Sequence, residues 1–178
     1  VTDVSSKNEK LMPPLLYDLT DLQKDLNTRH GFTADTTLSL VQSLYEKKHV
    51  TYPRTDSRYL SSDMKTDVPK ILESLRGQFA QQIAPLPSLA MPDNRYFNDA
   101  KVTDHHAIIP TTSLPNNLSN DETIVYQAIC LRFISAFYSP CIKQVTTVQT
   151  VINNQPFKTT GTIIESQGWQ VLYKDDDK

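Results

Sequence analysis

The chain has 178 residues, of which 38% are hydrophobic, and it carries a formal net charge of −2 with a pI near 6.1. This balance excludes a protein that binds nucleic acid through bulk positive charge, although it leaves room for a local cationic patch. The sequence has no apolar run near the ~20 residues that cross a bilayer, and its polar N-terminus lacks the apolar core of a secretory signal. The two cysteines, Cys130 and Cys141, lack metal-ligand spacing and are expected to be reduced thiols. We therefore expect a cytoplasmic protein without a membrane partner.

An extended lead-in and a first helix are predicted for the start of the chain. Residues 1–16 include two consecutive prolines, which exclude a helix interior. Thr20 and Gln23 have the spacing of a capping box, and Gly31 stands where a left-handed residue commonly ends a helix. These signals predict a helix over residues 21–29.

A second and more strongly patterned helix is predicted over residues 34–48. Lys47 and Lys48 are predicted in its last turn, where cations complement the helix dipole. Its expected buried face consists of Leu38, Val41, Leu44 and Tyr45. This helix delivers the chain directly to Tyr52, so that tyrosine is expected to be well positioned.

Two further helices are predicted before the composition changes. Residues 63–75 have a helical stripe, with Pro69 either kinking the helix or opening its second half. Residues 121–138 are apolar on more than one side, which is typical of a central helix, and Ser119 or Asn120 is expected to cap it.

The last part of the chain has the composition of strands. Residues 144–152 and 157–164 are rich in valine, threonine and isoleucine, and Asn153 and Asn154 lie between them. This pattern predicts a β-hairpin, and Trp169 is expected to pack on its sheet together with Tyr173.

The order of these elements predicts an α+β fold in three parts. A mainly helical domain, 18–140, is inserted between an N-terminal extended segment, 1–17, and a C-terminal β-hairpin segment, 141–178. The two outer segments can share one sheet. The chain ends in a charged tail over 174–178, which we expect to be solvated.

Residues 49–58 place a tyrosine beside a cationic side chain. Pro53 biases Tyr52 towards extended geometry, so the preceding helix must have ended. A phenol can attack a phosphodiester, and the guanidinium of Arg54 can hold phosphate oxygens in a bidentate manner. From this spacing alone, a surface loop with a half-buried tyrosine and solvated arginines is the favoured interpretation.

Residues 98–112 contain adjacent histidines, His105 and His106, next to Asp104. Neighbouring residues seldom point at one ion, and the helical spacing of zinc ligands is absent, so we do not predict a metal site here. A histidine that donates to a phosphate or carries a proton near neutral pH fits better. The alternative is a loop pair that packs beside the isoleucines that follow.

Taken together, these motifs resemble those of type IA DNA topoisomerases, with the topoisomerase III branch as the nearer likeness. Two long motifs occur in the family's order, and shorter matches precede them. The matching stretches are 15–23, 29–34, 44–48, 51–60 and 104–111.

The resemblance implies a role for each matching residue. Tyr52 corresponds to the nucleophile that forms a 5′-phosphotyrosyl link to one DNA strand, Arg54 to the residue that holds the scissile phosphate, and His105 to the motif histidine. The implied activity is transient cleavage of one strand, strand passage and religation, which changes DNA topology without ATP. Charge and proximity alone add candidate contacts to single-stranded DNA at Lys47, Lys48, Arg58, Arg29 and His106.

The resemblance also implies what else the complete enzyme contains. In the family, Mg²⁺ is bound by the acidic residues of a Toprim domain, which has no counterpart in this sequence, and the outer segments correspond to a β-rich arch. We therefore expect a fragment that is inactive by itself, needs the remainder of the same polypeptide, and acts in the cytoplasm at the nucleoid.

Two other classes of protein remain as alternatives. A tyrosine recombinase would need several dispersed arginines and a late tyrosine, which the Tyr52–Arg54 spacing disfavours. A non-catalytic single-stranded DNA-binding or protein-interaction domain of the same fold would keep these helices without the chemistry.

Overall fold

A computed structural model describes residues 1–176, which form six α-helices, three strands and four short 3₁₀ segments. The helices are α1 (Leu19–His30), α2 (Ala34–Glu46), α3 (Val68–Ser74), α4 (Ala80–Ile83), α5 (Asp93–Tyr96) and α6 (Asn120–Ser135). The strands are β1 (Asp3–Leu11), β2 (Cys141–Ile152) and β3 (Gln155–Ser166). The 3₁₀ segments are Ser62–Thr66, Leu75–Gly77, Asp99–Lys101 and Gly168–Asp176. This composition confirms the predicted α+β class.

The chain divides into two compact units. A helical unit comprises Pro14–Phe137, and a sheet unit comprises Val1–Pro13 together with Tyr138–Lys178. The domain boundaries at 17/18 and 140/141 stay predictions. The prediction of a solvated tail concerns residues 174–178, and their side chains are not among those that the structure describes. Within residues 1–176, no helix has the length and apolarity that crossing a membrane requires.

Helix α1 begins earlier than its sequence pattern indicates. The side chain of Asp18 accepts a hydrogen bond from the Asp21 amide at 2.7 Å, so Asp18 is the N-cap and the predicted Thr20–Gln23 capping box is wrong. Gly31 ends the helix at a φ of 70°, in the left-handed region that favours glycine. The prediction of this C-terminal cap is confirmed.

Helix α2 ends two residues before the predicted position. Lys47 is its C-cap, and Lys48 follows with a φ of 67°, so neither lysine belongs to the last turn. Tyr45 does not lie on the buried face as predicted, because its side chain is 37% exposed. The buried positions of this helix are Thr37, Val41 and Leu44.

The helix predicted over residues 63–75 consists of separate pieces. A 3₁₀ segment, Ser62–Thr66, precedes α3, and Pro69 lies in the first turn of α3, where its missing N–H removes no helical hydrogen bond. Pro69 therefore opens a new helix, which is the second of the two predicted possibilities.

Helix α6 is the central helix of the helical unit, and it ends at Ser135 rather than at residue 138. Its N-terminus is a complete capping box: Ser119 accepts from the Glu122 amide at 3.2 Å, and the Glu122 carboxylate accepts from the Ser119 amide at 3.0 Å. Its buried apolar residues include Val125, Ile129, Cys130, Phe133 and Ile134.

The sheet unit is an antiparallel sheet with the strand order β1-β2-β3. Asn153 and Asn154 form the predicted hairpin turn with φ values of 49° and 60°, as a two-residue turn of this hand requires. Trp169 donates from Nε1 to the Leu11 carbonyl at 3.0 Å, and its ring centroid lies 5.9 Å from that of Tyr173. Every residue of β1 and β3 is exposed.

Candidate active site

Two distant segments of the helical unit pair through their backbones at the site. The Thr51 amide donates to the Ile109 carbonyl at 3.0 Å, and the Thr111 amide donates to the His49 carbonyl at 3.0 Å. The Thr51 hydroxyl also donates to the Ala107 carbonyl at 3.1 Å and accepts from the Ile109 amide at 3.0 Å. The tyrosine motif and the histidine motif are therefore joined by hydrogen bonds on both sides of Thr51.

Two buried hydroxyl groups fix the chain after the tyrosine. The Thr55 hydroxyl donates to the His105 carbonyl at 3.0 Å and accepts from the Ser57 amide at 3.1 Å. The Ser57 hydroxyl donates to the Lys101 carbonyl at 2.8 Å. The Thr55 carbonyl in turn accepts from the Leu19 amide at 3.1 Å, which ties the motif to the start of α1. These bonds determine where His105 lies relative to Tyr52.

The half-buried ring of Tyr52 lies between two other aromatic side chains. Its centroid is 4.2 Å from that of the exposed His105, with the planes inclined by 39°. On another side, Tyr45 from the last turn of α2 makes an edge contact, with centroids 5.3 Å apart and planes at 80°. Both contacts restrict the ring orientation of Tyr52.

Arg54 and His105 line an open pocket of about 450 Å³ beside this aromatic cluster. The pocket is bounded by the first residues of α1 and by the two motifs. Tyr52 is not one of its lining residues, but the Tyr52 ring packs against His105, which is. Its lining residues are Asp18, Leu19, Thr20, Arg54, Thr55, Asp56, Thr103, Asp104 and His105. A guanidinium and an imidazole in one open pocket are donors that suit an anionic oxygen.

The candidate DNA contacts differ in the partners that they already have. Lys47 pairs with Glu122 at 2.5 Å and Arg58 pairs with Asp21 at 2.8 Å, so both cations already have a carboxylate partner. The side chain of Lys48 is exposed.

The remaining two candidates differ in their distance from the pocket. Arg29 pairs with Asp25 at 2.8 Å near the end of α1, roughly 15 Å along the helix axis from the residues of α1 that line the pocket. His106 directs its Nδ1 towards the Ala107 carbonyl at 2.8 Å. Of the two histidines, only His105 contacts the Tyr52 ring and lines the pocket.

Glu122 connects α6 to the last turn of α2. Its Oε1 accepts from the Lys47 ammonium at 2.5 Å and from the Ser43 hydroxyl at 2.7 Å. The Lys47 ammonium, followed by the Ser119 amide and the Ser43 hydroxyl, lowers the pKa of Glu122 from 4.5 to about 2, against the opposing effect of burial. The carboxylate is therefore charged at neutral pH.

Sequence reasoning missed several residues that shape this site. Tyr45 fits the apolar period of α2, so the sequence predicts a core position for it. Thr55 and Ser57 are typical loop residues, and only their place within the motif distinguishes them. Glu122 shows a local capping signal, but no sequence spacing connects it to Lys47.

The family resemblance implies Mg²⁺ for the complete enzyme. Among residues 1–176, no group of three or more histidine, cysteine, aspartate or glutamate side chains is placed to hold a metal ion. The carboxylates that line the pocket do not form such a group.

The fold has a solved relative, and a family model gives the class of protein. It is similar to that of the full-length topoisomerase I from Thermotoga maritima, with a TM-score of 0.68 at 22% identity, over 97% of this chain and 29% of that chain. A family model described as DNA topoisomerase matches residues 1–178, and the chain belongs to this family.

The relatives identify the branch within that family. DNA topoisomerase 3 from Bacillus licheniformis is 41% identical over 190 residues, and the protein of the same name from Bacillus subtilis is 40% identical over 189 residues. Both alignments cover 100% of this chain and 26% of the relative. The predicted resemblance to the topoisomerase III branch of the type IA enzymes is confirmed, and the chain spans about a quarter of the length of these relatives.

Proposed function

We propose that this chain supplies the tyrosine-bearing part of a DNA topoisomerase active site. The complete enzyme would cleave one DNA strand, pass another segment through the gap and religate the break without ATP. The observation that carries this proposal is the contact between Tyr52 and His105, next to a pocket that also contains Arg54.

The proposed cleavage is a transesterification at one backbone phosphate. The Tyr52 Oη forms a bond to phosphorus, and the bond from phosphorus to the 3′ oxygen of the preceding nucleotide breaks. The strand is left with a 5′-phosphotyrosyl link and a free 3′ hydroxyl, which receives the proton that the phenol loses. The phosphodiester count is unchanged, so the 3′ hydroxyl can reverse the reaction without an energy source.

Arg54 and His105 are proposed to act on the phosphate that Tyr52 attacks. The guanidinium of Arg54 can donate two parallel hydrogen bonds to the nonbridging oxygens, and His105 can donate a third. These donors would stabilise the charge that develops on the oxygens during attack. The framework around Thr55 supports this assignment, because it holds the His105 backbone beside the tyrosine motif.

Single-stranded DNA is the proposed partner, and its backbone would be held by cations near the pocket. Lys48 is the simplest candidate because its side chain is exposed. Arg58, Arg29 and His106 would contact the strand only if they gave up or shared their present partners. The complete protein would accordingly act at the nucleoid.

The rest of the active site is proposed to lie in the remainder of a longer polypeptide. There a Toprim domain would bind Mg²⁺, and no chemical step assigned to this chain depends on that ion. We expect no covalent adduct when the 178-residue chain is incubated with single-stranded DNA and Mg²⁺. An adduct under those conditions would show that the chain is sufficient for cleavage.

The test uses a Tyr52→Phe variant of the full-length protein that carries this chain. This substitution keeps the ring contacts and removes the nucleophilic oxygen. We expect DNA affinity to be retained and the covalent protein–DNA adduct, measured by denaturing gel electrophoresis of labelled single strands, to disappear. Cleavage by Tyr52→Phe at the unmodified rate would instead favour a non-catalytic role for this domain.

A further inference from the structure

A buried carboxylate clamps the helix that leads to Tyr52. Glu122 is 6% exposed and lies in the first turn of α6. Its two oxygens accept hydrogen bonds from Lys47, Ser43 and the Ser119 amide, at 2.5, 2.7 and 3.0 Å. Two of these donors belong to the last turn and cap of α2, so the end of α2 is fixed against the start of α6.

The clamped turn of α2 also contacts the nucleophile. Tyr45 lies between Ser43 and Lys47 in the sequence, and its ring packs edge-on against Tyr52. The chain then passes from Lys47 to Tyr52 within five residues. Any movement of this turn would therefore shift Tyr52 through the backbone and through the Tyr45 ring.

We propose that Glu122 and Lys47 are a positioning pair, which holds the last turn of α2 so that Tyr45 sets the orientation of Tyr52. This inference rests on the proposed function of Tyr52 as nucleophile. It gives Lys47 a different role from the strand contact that its charge indicates in the sequence. Glu122 and Lys47 act through Tyr45 and do not touch the reacting phosphate.

The burial of Glu122 explains why Lys47 does not serve as a strand contact. If a DNA phosphate took the Lys47 ammonium, a buried carboxylate would lose its charged partner, which is unfavourable. Lys48 is the next residue in the sequence, and its side chain is exposed. The two lysines are thus a matched pair with different expected effects.

The experiment compares Lys47→Met and Lys48→Met in the full-length protein that carries this chain. Methionine keeps an unbranched apolar side chain of similar length and removes the charge of lysine. Each variant is measured for affinity to a single-stranded oligonucleotide over a range of salt concentrations, and for the rate of covalent adduct formation at saturating DNA.

We expect Lys47→Met to lower the saturated cleavage rate about 10- to 100-fold, since small misplacements of a reacting group have effects of this size. Its affinity and salt dependence are expected to stay unchanged. Lys48→Met is expected to weaken the affinity for the oligonucleotide. The slope of log affinity against log salt should fall by about 0.7, the value for one phosphate contact. The opposite result overturns the proposal: Lys47→Met leaves the saturated cleavage rate unchanged and, like Lys48→Met, weakens binding and reduces the slope.

A second pair of variants decides the question if Lys47→Met does not fold. Tyr45→Phe keeps the ring and is expected to retain the saturated rate, whereas Tyr45→Ala is expected to lower it without changing affinity. Equal rates for both variants and the unmodified protein contradict the proposal. Failure of the proposed function can be told apart from failure of this positioning proposal, because it appears as continued cleavage by Tyr52→Phe.

Discussion

Polar side chains have different roles in the helical unit and in the three-stranded sheet. In the helical unit, the hydroxyls of Thr55 and Ser57 are buried and bonded to backbone groups far away in the sequence. In β3, the threonines are exposed and the strand is held by regular backbone pairing with β2.

This difference locates the residues on which the proposed function depends. Backbone ladders tolerate many side chains, because the hydrogen bonds do not depend on residue type. The connection between residues 49–57 and residues 101–111 adds bonds from individual side chains to its backbone pairing, and both motifs contribute to the pocket that Arg54 and His105 line. Substitutions in the connection should therefore have large effects, and matched substitutions in the sheet should have small ones.

Among substitutions that leave Tyr52 intact, the largest expected effect comes from Arg54→Ala in the full-length protein. Loss of a charged donor to the developing oxyanion is expected to lower the rate of adduct formation about 100- to 1000-fold. The control is Arg58→Ala, since Arg58 pairs with Asp21 at 2.8 Å and is not among the pocket-lining residues. Equal losses for both variants would show that general positive charge, and not the pocket, is responsible.

A smaller but still selective effect is expected for the two histidines. His105→Ala should lower the rate of adduct formation about 100-fold, because His105 lines the pocket and contacts Tyr52. His106→Ala should change this rate by less than His105→Ala, since its Nδ1 faces a backbone carbonyl. A larger loss for His106→Ala in a single-turnover assay would reverse the assignment.

The framework itself is tested by Thr55→Val in the 178-residue chain. Valine has the shape of threonine but can neither donate to the His105 carbonyl nor accept from the Ser57 amide, so the free energy of unfolding should fall by about 1–3 kcal/mol. Thr160→Val on the exposed strand β3 is the matched control, with an expected change within about 0.5 kcal/mol. Urea unfolding that gives equal losses would remove the distinction between the two regions.

The acid dependence of stability tests the clamp at Glu122. The folded pKa of about 2 is below the ordinary 4.5, so the stabilising effect is complete above about pH 5 and is lost as the pH falls towards 2. At pH 7, Glu122→Gln should lower the free energy of unfolding by about 1–2 kcal/mol. This difference from the unmodified chain should shrink as the pH falls from 4.5, and a difference that is constant with pH would contradict the assigned charge pair.

Much of the fold could be predicted because its signals are local. The left-handed Gly31, the asparagine turn at 153–154 and the β-prone runs each depend on neighbours in the sequence. The predictions were wrong where a tertiary contact or a competing local hydrogen bond determines where a helix begins or ends. Asp18 caps α1 ahead of Thr20, and α2 ends at Glu46 although its pattern continues.

The candidate site could be predicted only in part for the same reason. Tyr52, Arg54 and His105 lie in motifs whose residue types indicate their chemistry. The proximity of His105 to Tyr52 depends on hydrogen bonds between residues about 50 positions apart, such as that from Thr55 to the His105 carbonyl. Tyr45 fits the apolar periodicity of α2, but its ring is exposed. Periodicity alone does not show which residues at the end of a helix are covered by the rest of the fold.

The most direct test identifies the residue that carries the DNA. The full-length protein is trapped with a single-stranded oligonucleotide and digested with trypsin, which cuts after Lys48 and Arg54 and releases residues 49–54 with Tyr52 as their only tyrosine. Mass spectrometry should find this peptide joined to the 5′ phosphate of the cleaved strand. A nucleotide mass on another peptide, such as those that contain Tyr45 or Tyr59, would contradict the assignment of Tyr52 as the nucleophile.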